Sequence, residues 1–171
     1  MHNNQLSPNS LAFIALANEY CSAIEKAPEF DKPDFLVQML KLLPRIYISA
    51  SDINIKESSE EYYIEPYLDE DVYNNVRSNI AALMAEDDVF LETFEEDMKY
   101  SDTPLSASIS EDLADIYQEL YNLVASVRDV ESEAIHSILI TCKEDFAQFW
   151  GQTLCNVLRA LHSVFYNQDE Q

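Results

Sequence analysis

Glycine is almost absent from this chain of 171 residues, which contains only Gly151. All-β folds need residues with positive φ in their many turns, so this scarcity counts against them. Phosphate-binding loops of the GxGxxG and GxxxxGK[ST] types need at least two glycines, so the sequence excludes both. Long apolar runs are also missing. The longest, from Leu11 to Ala17, is far too short to cross a bilayer.

Basic residues are scarce as well. The chain has ten Lys and Arg residues and 32 Asp and Glu residues, which gives a formal net charge of −22. Such a chain repels phosphate backbones and anionic membrane surfaces, so we expect neither non-specific nucleic-acid binding nor membrane binding. A basic protein, a cation or a neutral ligand remains compatible with this charge. A highly solvated surface without a partner is the simpler alternative.

Cysteine is too rare and too widely spaced to form a disulfide framework. Cys21, Cys142 and Cys155 form no CxxC pair, so a structural zinc site has no support. All three lie on or beside apolar stripes and are predicted to be small core residues. The first nine residues lack the features of a signal peptide, and the predicted location is cytoplasmic. No cofactor motif is present, and no cofactor is predicted.

Apolar residues make up 47% of the chain and recur mainly at helical spacing, which predicts an all-α fold. We expect one helical domain over residues 1–171, with loose tails at 1–6 and 167–171. The architecture predicted is an irregular or up-and-down bundle of five to six amphipathic helices with a long C-terminal helix. The predicted helix starts are Ser7 with Pro8, Asp31 with Pro33, Asp69, and Ser110 with Glu111 and Asp112.

Four features qualify this pattern. Pro44 lies inside the second helix and predicts a kink or a break there. Val89 to Tyr100 slightly favours a short helix, and Ser101 to Ser108 is predicted to be a loop. The last segment, Glu131 to Tyr166, is long enough to protrude, to bend, or to break around residues 143–145. Within it, Gly151 predicts the close approach of another helix.

The acidic residues are concentrated in one part of the chain. Fourteen of them lie between Glu57 and Asp97, where Arg77 is the only base. This density predicts a docking surface for a basic partner, with tyrosines adding contact area. Solvated helix faces and loops are the alternative. The candidate partner-binding residues are Glu60, Glu61, Glu65, Tyr67, Glu92, Glu95, Glu96 and Asp97.

A second candidate site is a pocket between two helices. Arg159 and His162 are three residues apart on a strongly apolar helix, and they need polar partners if they are buried. Arg159 would hold an anionic group, and His162 would act as an acid or a base. A hydrogen-bonded cluster that fixes the helix register, or an exposed pair, is the alternative. The candidate pocket residues are Asp112, Asp115, Tyr117, Trp150, Arg159 and His162.

Metal chemistry has one weak indication. Glu133 and His136 form an ExxH pair that places a carboxylate and an imidazole on one helix face. Di-iron bundles need two such motifs and two further glutamates, and the chain offers no second ExxH near its other histidines. No metal site is therefore predicted.

The sequence resembles a known family of small acidic bacterial proteins. The resemblance rests on SEDLADIY at 110–117, on Trp150-Gly151 and on LRALH at 158–162. These motifs resemble the domain of unknown function family 5063, and the resemblance covers residues 10 to 166. It implies an all-helical bacterial protein and brings no activity, ligand or catalytic residue. The matching positions are Asp112, Leu113, Asp115, Ile116, Tyr117, Trp150, Gly151, Leu158, Arg159, Leu161 and His162.

Two hypotheses for the function therefore take precedence over a third, a metal protein that uses Glu133 and His136. The first is a cytoplasmic interaction module that binds a basic partner through the acidic region 57–97 by electrostatic steering. The second is a small-ligand receptor or an enzyme that uses the predicted pocket. The sequence alone specifies neither the partner nor the oligomeric state.

Overall fold

A computed structural model describes residues 5–55, 63–91 and 105–167 of the protein. About 80% of these residues are helical, which confirms the predicted fold class. A small antiparallel hairpin and short 3₁₀ turns at Ala27–Glu29 and Ala85–Asp88 complete the fold. The main elements are α1 (Pro8–Glu25), α2 (Lys32–Ser51), α3 (Glu70–Met84), β1 (Val89–Leu91), β2 (Ser106–Ser108), α4 (Ile109–Arg128), α5 (Ser132–Asp145) and α6 (Gly151–Tyr166).

Three predicted helix starts are confirmed by their capping hydrogen bonds. The Ser7 hydroxyl accepts a hydrogen bond from the Ser10 backbone N–H at 3.0 Å. The Asp31 carboxylate caps α2 in the same way, and Asp69 caps α3. Each cap satisfies a backbone donor that the first helical turn leaves without a partner.

The predicted start of α4 was wrong by two residues. Its cap is Ser108, whose hydroxyl accepts from the Glu111 backbone N–H at 3.2 Å. Ser110 lies inside the first turn and is buried. There its backbone N–H and its hydroxyl both donate to the Asp88 carboxylate, at 2.8 and 2.6 Å. The Asp88 carboxylate, which precedes α4 in the chain, thus satisfies donors in the first turn of that helix. The local sequence predicts Ser110 itself as the cap.

The short helix predicted from Val89 was wrong where the structure describes it. Val89–Leu91 is an extended strand that pairs antiparallel with Ser106–Ser108, so the end of the predicted loop is also a strand. The paired backbone bonds of the two strands outweigh the weak helical spacing of a three-residue apolar run. Of the residues between them, 92–104 lie outside the described part of the chain.

The helix α2 continues through Pro44, so the break that the sequence allowed does not occur. Leu43 and Ile46, on either side of this proline, are fully buried. The apolar face therefore continues across the missing backbone donor, and its packing holds the helix together. Along this face α2 contacts α1 and α6.

The C-terminal segment is one continuous helical rod from Ser132 to Tyr166, built from α5, a π-helical turn at Phe146–Trp150, and α6. It does not break at residues 143–145. At the end of the π turn the Gly151 N–H donates to the Phe146 carbonyl. A Cβ atom on Gly151 would lie 2.5 Å from that carbonyl oxygen. The close approach predicted at this glycine is therefore made by the preceding turn of its own helix, not by another helix.

The core lies around α4, which contacts α1, α3, α5 and α6. Its largest fully buried side chains include Tyr20, Tyr117, Phe13 and Phe35. Leu6, which was predicted to lie in a loose tail, packs against this core. Within the described ranges, no helix combines the length and the apolar character that a bilayer span requires.

Candidate functional site

The six residues of the predicted pocket lie in several different surroundings. Tyr117 is buried against α1, where its hydroxyl donates to the Glu25 carboxylate at 2.9 Å. Trp150 is buried in the π turn, and its ring meets the Phe146 ring edge-on with centroids 4.8 Å apart. Among the described residues, none provides a hydrogen-bond acceptor for the Trp150 indole nitrogen.

Arg159 and His162 are both exposed on α6. The Arg159 guanidinium donates to the Leu91 carbonyl oxygen of β1 at 2.6 Å. The His162 ring stacks on Tyr166, with centroids 4.6 Å apart. Arg159 and His162 therefore lie on one face of α6 but contact different partners.

Asp112 and Asp115 lie on the first half of α4. Asp115 accepts a hydrogen bond from the Tyr73 hydroxyl of α3. Asp112 lies close enough to Tyr20 to contribute to raising the pKa of that phenol, behind the larger effect of burial. The structure therefore pairs Asp115 with a tyrosine of α3 and places Asp112 near a tyrosine of α1.

The cavity that Arg159 does line has a volume of about 630 Å³ and lies beside β1. It contains none of the other five predicted pocket residues. Part of its lining is on α6 itself, but sequence spacing could not find the other walls, because they come from the start of α2, the turn after α3 and β1. The lining residues are Lys32, Glu86, Asp87, Val89, Phe90, Arg159, Ala160, Ser163, Val164 and Asn167.

Two buried tyrosines connect α1 to α4. The Tyr20 hydroxyl donates to the Leu113 carbonyl oxygen at 2.7 Å, and the Tyr117 hydroxyl donates to Glu25. Burial raises the pKa of Tyr117 far above its ordinary range, and the Glu25 carboxylate adds to this effect. Both phenols are therefore protonated donors at neutral pH. Their bonds fix the packing of two core helices.

The cysteines divide into two groups. Cys21 and Cys142 are buried, as predicted, whereas Cys155 is exposed, so the core position expected for it was wrong. Burial raises the pKa of Cys21 to about 12 and also raises the pKa of Cys142. A thiol is a poor nucleophile under these conditions, because the thiolate is the reactive form.

The predicted acidic surface is described only in part. Glu65 and Tyr67 are both exposed. Partial desolvation and the nearby Asp129 carboxylate, which is also hydrogen-bonded to the phenol, raise the pKa of Tyr67. The other candidate residues, Glu60, Glu61, Glu92, Glu95, Glu96 and Asp97, lie outside the described ranges.

The structure adds an acidic cluster that the sequence analysis missed, formed by Glu111, Asp115 and Glu119 of α4 with Asp145 of α5. We call it the α4 acidic ridge. Burial and the neighbouring Asp145 and Asp115 carboxylates raise the pKa of Glu119. Burial and Glu111 also raise the pKa of Asp115, although the Tyr73 hydrogen bond opposes this.

No carboxylate of the ridge forms an ion pair with a described basic residue. Glu111, Asp115 and Glu119 follow one another at intervals of four residues. The sequence could therefore have predicted that these three are neighbours on one helix face. Asp145 joins them only because α5 packs beside α4.

The ExxH pair does not assemble a metal centre within the described ranges. The His136 ring nitrogen lies 3.2 Å from the Ser132 carbonyl oxygen of its own helix. In the same part of the chain, no group of three or more His, Cys, Asp or Glu side chains has a geometry that could hold a metal ion.

A mostly helical fold with a small hairpin, a long C-terminal helix with a π turn and a strongly acidic composition characterise this protein. Its sequence matches the family described as Domain of unknown function (DUF5063) over residues 4–167, and the chain belongs to that family. The resemblance drawn from the α4 and α6 motifs is thereby confirmed.

A solved relative has the same fold. Protein BF1032 from Bacteroides fragilis shares 32% sequence identity with this chain, and its crystal structure superposes on it with a TM-score of 0.82. The match covers 96% of this chain and 97% of that one. No curated protein matches the sequence.

Proposed function

We propose that this protein is an acidic interaction module that binds a basic protein partner. The surface proposed is the acidic region 57–97 together with the α4 acidic ridge. The observation that carries the proposal is the clustering of four ridge carboxylates, in which burial and neighbouring carboxylates raise the pKa of Glu119 and Asp115 and no ridge carboxylate forms an ion pair with a described basic residue. Such a cluster costs folding free energy, and a cationic partner would offset that cost.

The ridge adjoins the described part of the 57–97 region through α3. Tyr73 of α3 donates its hydroxyl to Asp115 of the ridge, and α3 packs along α4. The exposed carboxylates Glu70 and Asp71 lie in the first turn of the same α3 helix. Negative potential from both helices would therefore add over one face and attract a cationic partner from a distance.

Exposed tyrosines support the contact that follows the encounter. Tyr63 is 75% exposed and Tyr67 is 45% exposed, and both lie in the segment before α3. Tyrosine offers a large contact area together with a hydroxyl donor, and it is enriched at protein interfaces. Electrostatic steering would set the association rate, and these rings would slow dissociation.

Capture from native cell lysate at low and at high salt, read by quantitative mass spectrometry, tests the proposal. We expect a specific basic protein that is retained at low salt and lost at high salt, because salt screens exposed charges. The Glu95→Lys/Glu96→Lys variant should lose this protein while its circular dichroism spectrum is unchanged. The contribution of the ridge is tested separately with Glu111→Gln/Glu119→Gln, which should weaken capture of the same protein.

The matched control is Glu19→Lys/Glu29→Lys, which changes the net charge equally through exposed residues outside the surface. It should retain the partner. Equal loss from the control and from Glu95→Lys/Glu96→Lys would reduce the effect to net charge and contradict the proposed surface. Absence of a specific partner at either salt concentration would contradict the proposed function itself.

A further inference from the structure

The cavity beside β1 has the size and the mixed walls of a small-molecule site. Its volume of about 630 Å³ lies within the range of ligand pockets, roughly 300–1,000 Å³. One wall is apolar and consists of Val89, Phe90, Ala160 and Val164. The remainder of the lining consists of charged side chains of both signs together with the neutral polar residues Ser163 and Asn167.

Arg159 is the charged residue of the cavity lining that keeps unused N–H donors. A guanidinium carries five N–H donors, and one nitrogen of Arg159 donates to the Leu91 carbonyl oxygen. Arg159 forms no ion pair with any carboxylate of the described residues, although the chain contains 32 acids. Its remaining N–H groups can therefore receive a ligand carboxylate in the paired geometry that a guanidinium favours.

The acidic residues of the cavity determine which ligand is compatible. Lys32 is already paired with Asp87. Glu86 also lines the cavity and forms no ion pair with a described base, so it remains as an acceptor for a cation. A ligand with several negative charges would be repelled by Glu86 and by the net charge of −22.

We infer that this cavity binds a small zwitterion, namely an α-amino acid with an apolar side chain. Arg159 binds the carboxylate, Glu86 binds the ammonium group, and the side chain packs on Phe90 and Val164. The molecule as a whole is neutral, so the acidic protein does not repel it. Four residues of this cavity, Glu86, Asp87, Val89 and Phe90, lie within the region 57–97, yet binding of an amino acid here does not require the proposed basic partner.

Isothermal titration calorimetry and thermal unfolding with the standard L-amino acids test the inference. We expect the apolar members to bind and to raise the melting temperature, because a ligand that binds only the folded state stabilises it. For L-leucine, the two informative analogues are 4-methylpentanoate, which lacks the ammonium group, and 3-methylbutylamine, which lacks the carboxylate. Each should bind at least about tenfold more weakly, because a charge-assisted hydrogen bond is lost.

Variants locate the site. Arg159→Gln should weaken L-leucine binding by at least about tenfold, whereas Arg45→Gln, the same change at an exposed arginine outside the cavity, should leave it unchanged. Glu86→Gln tests the ammonium contact and should also weaken L-leucine binding. Glu86 forms no described ion pair, so this change breaks none that stabilises the fold.

Three results would overturn the inference. The first is the absence of binding by any standard amino acid. The second is equal affinity for L-leucine and 4-methylpentanoate, which would assign the cavity to simple carboxylates. The third is undiminished binding by both Arg159→Gln and Glu86→Gln.

Discussion

The Tyr117 hydroxyl on α4 donates a hydrogen bond of 2.9 Å to the Glu25 carboxylate at the end of α1. The tyrosine ring is buried, whereas the glutamate is exposed. The bond therefore lies at the boundary of the core and joins two helices that are distant in sequence. A second bond between the same helices, from Tyr20 to the Leu113 carbonyl, is fully buried.

This difference in burial predicts two different losses of stability. Tyr117→Phe should lower the free energy of unfolding by about 1 kcal/mol, because water can solvate the Glu25 carboxylate that is left behind. Tyr20→Phe should cost more, about 1–3 kcal/mol, because water cannot replace the hydrogen bond that the buried Leu113 carbonyl oxygen loses. Urea denaturation measures both values. Tyr63→Phe, at an exposed tyrosine, should change little, and an equal loss in all three variants would contradict this explanation.

The ridge predicts a dependence of stability on pH. Burial and neighbouring carboxylates raise the pKa of Glu119, so the folded protein binds this proton more readily than the unfolded chain does. Glu119 therefore destabilises the fold at neutral pH, and the penalty is removed as the pH falls to the ordinary glutamate pKa of 4.5. Glu119→Gln should raise the free energy of unfolding at pH 7 by on the order of 0.5 kcal/mol, and urea denaturation as a function of pH should show this gain vanishing at low pH.

The control for this effect is Glu70→Gln, which removes the same charge from the first turn of α3. A negative charge at that position is favourable to the helix dipole, so its removal should lower stability by about 0.3–1 kcal/mol. Stabilisation of both variants at pH 7 would attribute the effect to net charge and would contradict the local repulsion proposed here.

The π turn predicts an unusual response to Gly151→Ala. In an ordinary helix this change stabilises by about 1 kcal/mol. Here the added Cβ would lie 2.5 Å from the Phe146 carbonyl oxygen and 3.0 Å from its ring. Gly151→Ala should therefore destabilise the protein by about 1–3 kcal/mol, as overpacking does.

Trp150, the single tryptophan of the chain, lies next to this glycine, so its fluorescence reports whether the turn rearranges. Urea denaturation and the emission maximum should both change in Gly151→Ala and remain near the wild-type values in Thr153→Ala. A stabilised Gly151→Ala protein with unchanged emission would show that the π turn does not need glycine.

The contact between Asp88 and Ser110 predicts that a residue outside α4 stabilises the start of that helix. Asp88→Ala should cost about 1–2 kcal/mol, because two hydrogen bonds at the terminus are lost. Asp87→Ala removes the same charge one residue earlier and breaks only the ion pair with Lys32, which should cost no more than about 1 kcal/mol. Thermal or urea unfolding of the two variants compares these costs directly, and equal losses would exclude a capping role for Asp88.

Local sequence was sufficient for the fold class and for most helix starts. Ser7, Asp31 and Asp69 each cap the helix that follows them, because a capping bond reaches only two or three residues along the chain. The local sequence did not predict the start of α4 correctly, because the acceptor for the Ser110 hydroxyl there is the Asp88 carboxylate, 22 residues earlier in the chain. It also failed at Val89–Leu91, where a strand partner more than ten residues away supplies the backbone bonds.

The sequence by itself therefore determined an acidic, all-helical protein with a long C-terminal helix, since charge, apolar periodicity and caps are local properties. Only the tertiary structure decided where the polar side chains of those helices lie. It directs Arg159 toward β1, Tyr117 toward Glu25, and Asp145 toward the ridge on α4. Helical periodicity places a residue on a face, but the packing of other elements decides what that face meets.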